Sequence, residues 1–202
     1  MTPASAHESS DVVDDADGVT IVRVTERAQL ERAWDVRTEV FVHEQRVPLE
    51  EEIDELDTAE STTHVLALDR ISGEAVGTGR LLSDPAHPGE VHLGRLAVRA
   101  AARGRGVGAR LVIAIEALAL AGHGVPRDGA TARDDGARRD GATARDDGAP
   151  PDGATTLAVR VVLSAQESAM EFYRRLGYEI VTGERYLDAG IWHQDMARTV
   201  VS

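Results

Sequence analysis

At 202 residues the chain has room for one α/β domain with tails or an insertion, and its lack of cysteine excludes disulfides, thiol nucleophiles and thiolate metal sites. Hydrophobic residues make up 42% but aromatics only 3%, so a core must rest on Val, Leu, Ile and Ala. The formal net charge of -13 argues against nucleic acid as a partner, and no apolar run is long enough to span a bilayer.

Residues 1–18 are small, polar and acidic, with neither a basic n-region nor an apolar h-region. They are expected to form a disordered tail on a cytoplasmic protein. Residues 19–25 (VTIVRVT) read as a strand, and 26–41 as a helix with Leu30, Trp34 and Phe41 on one face. An acidic, irregular stretch covers 45–61. Residues 62–69 and 74–82 read as strands around a turn at Ser72-Gly73, 90–98 as a further strand, and 106–121 as a strongly apolar helix.

The next segment stands apart. Residues 127–138 read RDGATARDDGAR, and 139–150 repeat them with only the last residue changed; a third, truncated copy begins at Pro151. The unit has no large apolar side chain, so neighbouring copies have nothing to bury against one another and a solenoid is excluded. A low-complexity surface loop over 122–154 is expected, interrupting a domain that spans 19–200. Loop closure costs only about 0.6 kcal/mol per doubling of length, so a fold tolerates it. Beyond it, 155–163 read as a β-branched buried strand. Residues 164–176 read as a helix, capped by Ser164 with Glu167 completing a capping box and stopped by Gly177. Two closing strands near 178–185 and 191–199 complete an α+β sheet domain.

The most informative stretch is 93–111, LGRLAVRAAARGRGVGARL. A strand runs into a short loop carrying Arg103, Gly104, Arg105, Gly106, Val107 and Gly108, and a helix follows at once. Glycines let a backbone approach closely, and free N–H groups at a helix start favour an anion. The six-residue pattern alone fits a flexible Gly-rich turn with solvated arginines equally well.

The run resembles motif A of the GNAT superfamily, in which Arg/Gln-x-x-Gly-x-Gly/Ala cradles the coenzyme A pyrophosphate; the pattern falls on Arg103, Gly106 and Gly108. Leu96-Ala97-Val98 is similar to the strand that pairs with the pantetheine arm. Further on, Phe172-Tyr173-Arg174-Arg175-Leu176-Gly177-Tyr178 resembles the late FYxxxGF/Y signature. Phe41-Val42-His43-Glu44-Gln45 and the ending from Tyr186 to Met196 are similar to the ElaA-like branch. The resemblance runs from about Val19 to Val200. It implies a central mixed, mostly antiparallel sheet flanked by helices, with acyl-CoA at a splayed strand pair. The implied activity is N-acetyl transfer from acetyl-CoA, the cosubstrate, to a primary amine of a small molecule or peptide by direct attack on the thioester, without a metal.

Such an attack needs a neutral amine, whereas an alkylammonium has a pKa of about 10.4, so a base is required. The leaving thiolate, of reference pKa about 8.5, benefits from a proton donor. The resemblance places Tyr173 to supply that proton; on the residues alone it reads equally as a core tyrosine beside Ala169 and Leu176. Strict alternation over 90–98 would put Glu90, His92, Gly94, Leu96 and Val98 on one face, making His92 a candidate base. Glu44 competes with it, His64 is a third candidate, and a water chain with no single base is a fourth solution. Glu50, Glu51, Glu52, Asp54, Glu55 and Asp57 form either a solvated loop or, facing the cleft, an attraction for a cationic acceptor. The seven histidines lack the spacing of zinc motifs. Neither a membrane nor a nucleic acid is expected as a partner, and a homodimer is left open. The competing readings are a non-catalytic acyl-CoA sensor and an enzyme like the acyl-homoserine-lactone synthases, whose basic carrier-docking surface this acidic chain lacks.

Overall fold

The computed structural model describes residues 11–127, 155–181 and 183–202. It opens on two antiparallel strands, β1 (Val12–Ala16) and β2 (Val19–Arg23), joined by Asp17 at φ 46° and Gly18 at φ 74°. Positive φ at both central residues is the type I′ hairpin geometry that Asp-Gly favours. The expected tail therefore joins the sheet from Val12 onward. Arg110 ties it down, reaching Asp14 Oδ2 at 2.5 Å and the carbonyls of Ala16 and Val19. The rest of that tail, residues 1–10, and the repeats over 128–154 lie outside the described residues.

Helix α1 (Arg27–Arg37) begins where Gln29 Oε1 accepts from the N–H groups of Thr25 and Glu26. It continues as a π-helical turn, Thr38–Glu44, in which the Gln45 N–H reaches back to the Val40 carbonyl. Two short turns follow, α2 (Leu49–Glu52) and the 3-10 turn Glu55–Thr58. Strands β3 (Thr62–Asp69), β4 (Ala75–Ser83) and β5 (Glu90–Val98) then form an antiparallel meander with β2. Helix α3 (Val107–His123) leads to the two-residue β6 (Val125–Pro126), which lies against the start of β7 (Leu157–Gln166). The Arg127 N–H donates to the Thr156 carbonyl at 2.8 Å, so the chain is ordered to residue 127 rather than 122 before the repeats. The short helix α4 (Met170–Arg175), then β8 (Glu179–Ile180), β9 (Tyr186–Asp188) and β10 (Ile191–Val201) complete the fold.

All ten strands join one sheet in the order β1-β2-β3-β4-β5-β7-β10-β8, with β6 on β7 and β9 on β10. Among the described residues only β5 and β7 run parallel. The sheet is mixed, mostly antiparallel and flanked by helices, as the resemblance implied. One face carries α3, whose Leu111, Val112 and Ile115 pack on Val65, Leu93, Val161 and Met196. Gly79 permits the close approach: a Cβ there would sit 2.6 Å from Ile115 Cδ1. The other face carries α1, through Ala33 and Val36, and the π-helical turn, through Val40, against Leu66 and Ala97.

Two expectations need correction. Ser164 does not cap a helix. Residues Ser164, Ala165 and Gln166 stay in β7, held in register with Asp195, Gln194 and His193 of β10, and α4 starts only at Met170 after a 3-10 turn. A ladder of partners outweighs one local cap. The alternation over β5 also fails. Thr78 pairs with Ala97 but Arg80 with Gly94, so β5 carries one extra residue at a bulge where Arg95 adopts φ 52°. Before the bulge Val91 and Leu93 face α3; after it Leu96 and Val98 do. His92 therefore points to the opposite face from Leu96 and Val98.

Candidate active site

Strands β5 and β7 start side by side and pair at three positions, Glu90↔Arg160, Val91↔Val161 and His92↔Val162. Beyond His92 they part. The opening is a slot of about 620 Å³, lined by Leu93, Gly94, Arg95, Leu96, Ala97 and Val98 on one strand and by Ser164 and Gln166 on the other. Phe41 and Glu44 of the π-helical turn, Tyr173 of α4, and Asp188, Ala189 and His193 of the β9–β10 hairpin also line it. A π-helical turn widens the helix and re-aims its side chains, and such turns gather at functional sites.

At the end of β5 the slot meets the Gly-rich loop. Gly104 and Gly106 adopt φ 76° and 79°, and Gly106 is the residue from which α3 starts, with no side chain capping the helix. Its free N–H groups and the helix dipole are available to an anion. A Cβ built on Gly104 or Gly106 would meet nothing within 4 Å, so the loop presents bare backbone. Val107 is buried, and Gly108 lies against Phe172 of α4. Arg103 borders the slot: its Nε donates to the Val98 carbonyl at 2.9 Å and its guanidinium pairs with Glu44 Oε2 at 2.6 Å. Arg105 leans towards Asp69 at 3.4 Å.

Residues 28–138 match the Acetyltransferase (GNAT) family. The chain is also 32% identical over 170 residues to the uncharacterised N-acetyltransferase YjcF of Bacillus subtilis, covering 84% of this chain and 92% of that protein. The chain belongs to the GNAT acetyltransferase family. Among solved structures it is similar to Escherichia coli ElaA, at 25% identity and a TM-score of 0.64, over 89% of this chain and 99% of that one. An acyl-CoA N-acyltransferase from Pseudomonas aeruginosa is similar at 29% identity and a TM-score of 0.63, over the same shares. The protein is therefore an acyltransferase of a family that uses acyl-CoA. Among the described residues no helix is long and apolar enough to cross a membrane, and no cluster of side chains could hold a metal ion.

The GNAT slot brings together some candidates for proton transfer and leaves others outside. Tyr173 lines it, 7% exposed, edge-on to the rings of Phe172 and Tyr178. Burial pushes its phenol well above the ordinary value, so it stays protonated at any physiological pH. Glu44 also lines the slot but is held by Arg103. His92 lies outside it, in a shallower neighbouring cavity with Leu82, Val162 and Asp195, and its Nε2 is 3.8 Å from Glu90. His92 sits where β5 and β7 still pair, opposite Val162, before the strands part. His64 is buried away from the slot with its Nε2 on the Asp57 carbonyl at 3.0 Å.

His193, which sequence reasoning passed over, lines the slot near the hairpin tip. It lies within the ending from Tyr186 to Met196 that resembles the ElaA-like branch, a resemblance that did not single it out. A second signal was Ala189-Gly190, a tight turn at φ 46° and 77° that doubles β9 back on β10.

The acidic run is not a solvated loop either. Glu52 and Asp57 are buried with Arg37, which bonds Glu52 Oε1 at 2.5 Å and Asp57 Oδ1 at 2.7 Å. Arg80 bridges Asp54 and Asp57 at 2.8 Å each, and Arg95 reaches Glu52 and Asp54 at 3.4 Å. Burial would raise the Asp57 carboxyl, but Arg37 and Arg80 outweigh it and hold it below the ordinary carboxylate range. Three of the run's six carboxylates, Glu52, Asp54 and Asp57, are thus spent on arginines, while Glu50, Glu51 and Glu55 stay exposed. Among the described residues, Glu51 and Asp188 line the slot without a cationic partner.

Proposed function

We propose that the protein transfers the acetyl group of acetyl-CoA to a primary amine of a small molecule or peptide, by direct attack of the amine on the thioester carbonyl. The parting of β5 and β7 carries this reading. It opens a slot long enough for an extended arm, ending at a loop of bare backbone N–H groups fit for a pyrophosphate. On this reading Leu96, Ala97 and Val98 lie along the arm, and Arg103, Gly104, Arg105, Gly106, Val107 and Gly108 form the cradle. Tyr173 would protonate the departing sulfur. Glu51 and Asp188 favour a positively charged acceptor, because unpaired carboxylates at the mouth of a narrow site attract an ammonium group.

The test uses thiol release from acetyl-CoA across a panel of polyamines, aminoglycosides, amino acids and peptide amino termini. A matched pair of variants ties the activity to the loop. Asp and Asn both tolerate the left-handed backbone of Gly106, where a Cβ meets nothing within 4 Å, and the two side chains have the same shape. Gly106→Asp is expected to lose acetyl-CoA affinity by calorimetry at least tenfold relative to Gly106→Asn, because only Asp puts a negative charge at the phosphate position. Equal affinity of the two variants would place the phosphates elsewhere. Tight acetyl-CoA binding with no thiol release on any amine would leave a binding module rather than a transferase.

A further inference from the structure

We propose that His193 is the general base of the reaction, taking the proton from the acceptor amine at its Nε2; this rests on the acetyl-transfer reading above. The ring is set for that role by its neighbours. Its Nδ1 lies 2.9 Å from the Ile191 carbonyl. A carbonyl oxygen only accepts, so Nδ1 carries the hydrogen and Nε2 of the neutral ring is left with a bare lone pair. Nε2 has no hydrogen-bond partner among the described residues, and it is not one of the sealed, unpartnered nitrogens of the interior.

The ring is also fixed in place. It stacks on Tyr186 with centroids 6.1 Å apart and planes 20° from parallel, and Tyr186 is anchored through its hydroxyl to Asp195 at 2.7 Å. Ser164 Oγ joins the same group, donating to Asp195 at 2.9 Å. His193 faces Gln166 across the ladder, and Gln166 is tied to Gln45 of the opposite wall at 2.7 Å. An imidazole with one tautomer selected, its ring stacked on a tyrosine and the free nitrogen on a reaction slot is a pre-organised base.

Its position relative to Tyr173 is the useful one. Leu163, Ala165 and Met196 pack with α3 and Tyr173, so Ser164, Gln166, His193 and Asp195, alternating with them, belong to the other face of the sheet. The slot thus has a phenol on one side and an imidazole on the other. An acceptor ammonium gives one proton to Nε2 and becomes a neutral amine. Its lone pair forms the C–N bond, the C–S bond breaks, the thiolate takes a proton from the Tyr173 side, and the second nitrogen proton leaves to solvent.

The charged and titratable groups around His193 are Tyr186 and Asp188 on the hairpin, Asp195 two residues further along β10, Glu44 with Arg103 and Glu51 on the π-helical and α2 side, the Glu52–Arg95 pair, and Tyr173 on α4. His193→Gln is expected to lower kcat/KM by ~10²-fold or more at neutral pH while acetyl-CoA affinity by calorimetry is unchanged. His193→Ala should recover activity with added imidazole. His92→Gln, outside the slot, should match the parent.

A readout without turnover keeps the assignment separate from the acetyl-transfer reading. Nitrogen-15 spectra of the histidine rings at pH 8 should show His193 with hydrogen on Nδ1 and a bare Nε2. The opposite tautomer, or His193→Gln turning over at the parental rate, overturns the base while leaving acetyl transfer standing. A parent that transfers to no amine overturns both.

Discussion

Tyr173 illustrates how burial changes a single residue's chemistry. The apolar wall of Phe172 and Tyr178 fixes its ring, yet the same burial raises its pKa and makes it a weaker acid towards a thiolate whose reference value is about 8.5. General acid catalysis is typically worth ~10²–10⁴-fold, and a reluctant donor to a tolerable leaving group belongs at the low end. Tyr173→Phe is accordingly expected to reduce kcat by about 10²-fold, with acetyl-CoA binding and melting temperature nearly unchanged because the ring remains. Parental turnover in that variant would make Tyr173 a packing residue and leave water as the donor. Arg103 poses a related question at the other end of the slot, since a pyrophosphate there would compete with Glu44 for the same guanidinium.

At the scale of elements, the insertion offers the cleanest test. It leaves after β6 and returns into β7, and the Arg127–Thr156 hydrogen bond holds the two exits together. Replacing residues 128–154 with a brief Gly/Ser linker should preserve melting temperature and acetyl-CoA affinity. A cut starting at Gly124 should cost stability instead, because it strips Val125 from Ala158 and exposes Gly89, against which Val125 packs. A loss from the shorter excision would show that the repeats pack on the domain. Legibility in the sequence followed the same local logic. The bounds of β3 and β5 were readable to the residue because an apolar run and its flanking turns are encoded within eight or nine positions. Strand β1 was missed although Asp17-Gly18 is a hairpin signal, since an acidic strand held by Arg110 looks like a tail. The bulge at Arg95 left no signature strong enough to break the alternation. The Gly-rich loop was legible because its chemistry is contiguous; His193 was not, because its carbonyl partner, stacking ring and slot are assembled from the hairpin and β7.

For the molecule as a whole, the surplus of acid conceals a tightly balanced interior. Arg37, Glu52, Asp57, His64 and Arg80 are all buried together. Burial would lower the Arg37 pKa, but Asp57 and Glu52 more than compensate and raise it. His64 donates from Nε2 to the Asp57 carbonyl, which leaves Nδ1 buried and without a partner. Burial therefore pushes the His64 pKa down, and two neighbouring arginines oppose its charge. The sign follows directly. A depressed folded value means the unfolded chain binds the proton more readily, so stability falls as pH drops below the unfolded value of about 6.5 and continues to fall until the folded value is passed. His64→Gln keeps a donor for the carbonyl and removes the titration. Urea midpoints at pH 8 and pH 5.5 should show the parent losing ground relative to the variant on acidification. A pH-independent difference would show that His64 accepts its proton in the folded state at little cost.

The closed neck between Arg127 and Thr156 has a consequence for how this chain can vary. The neck sits at the start of β7, and the slot residue Gln166 at its end, a ten-residue strand of roughly 30 Å away. Tandem copies of a short unit gain and lose members readily by replication slippage. Here such gains enter the protein at a pole where both attachment points are already pinned to each other. A change in copy number lengthens or shortens the chain between two points already hydrogen-bonded to each other, and related chains should differ in length at this point.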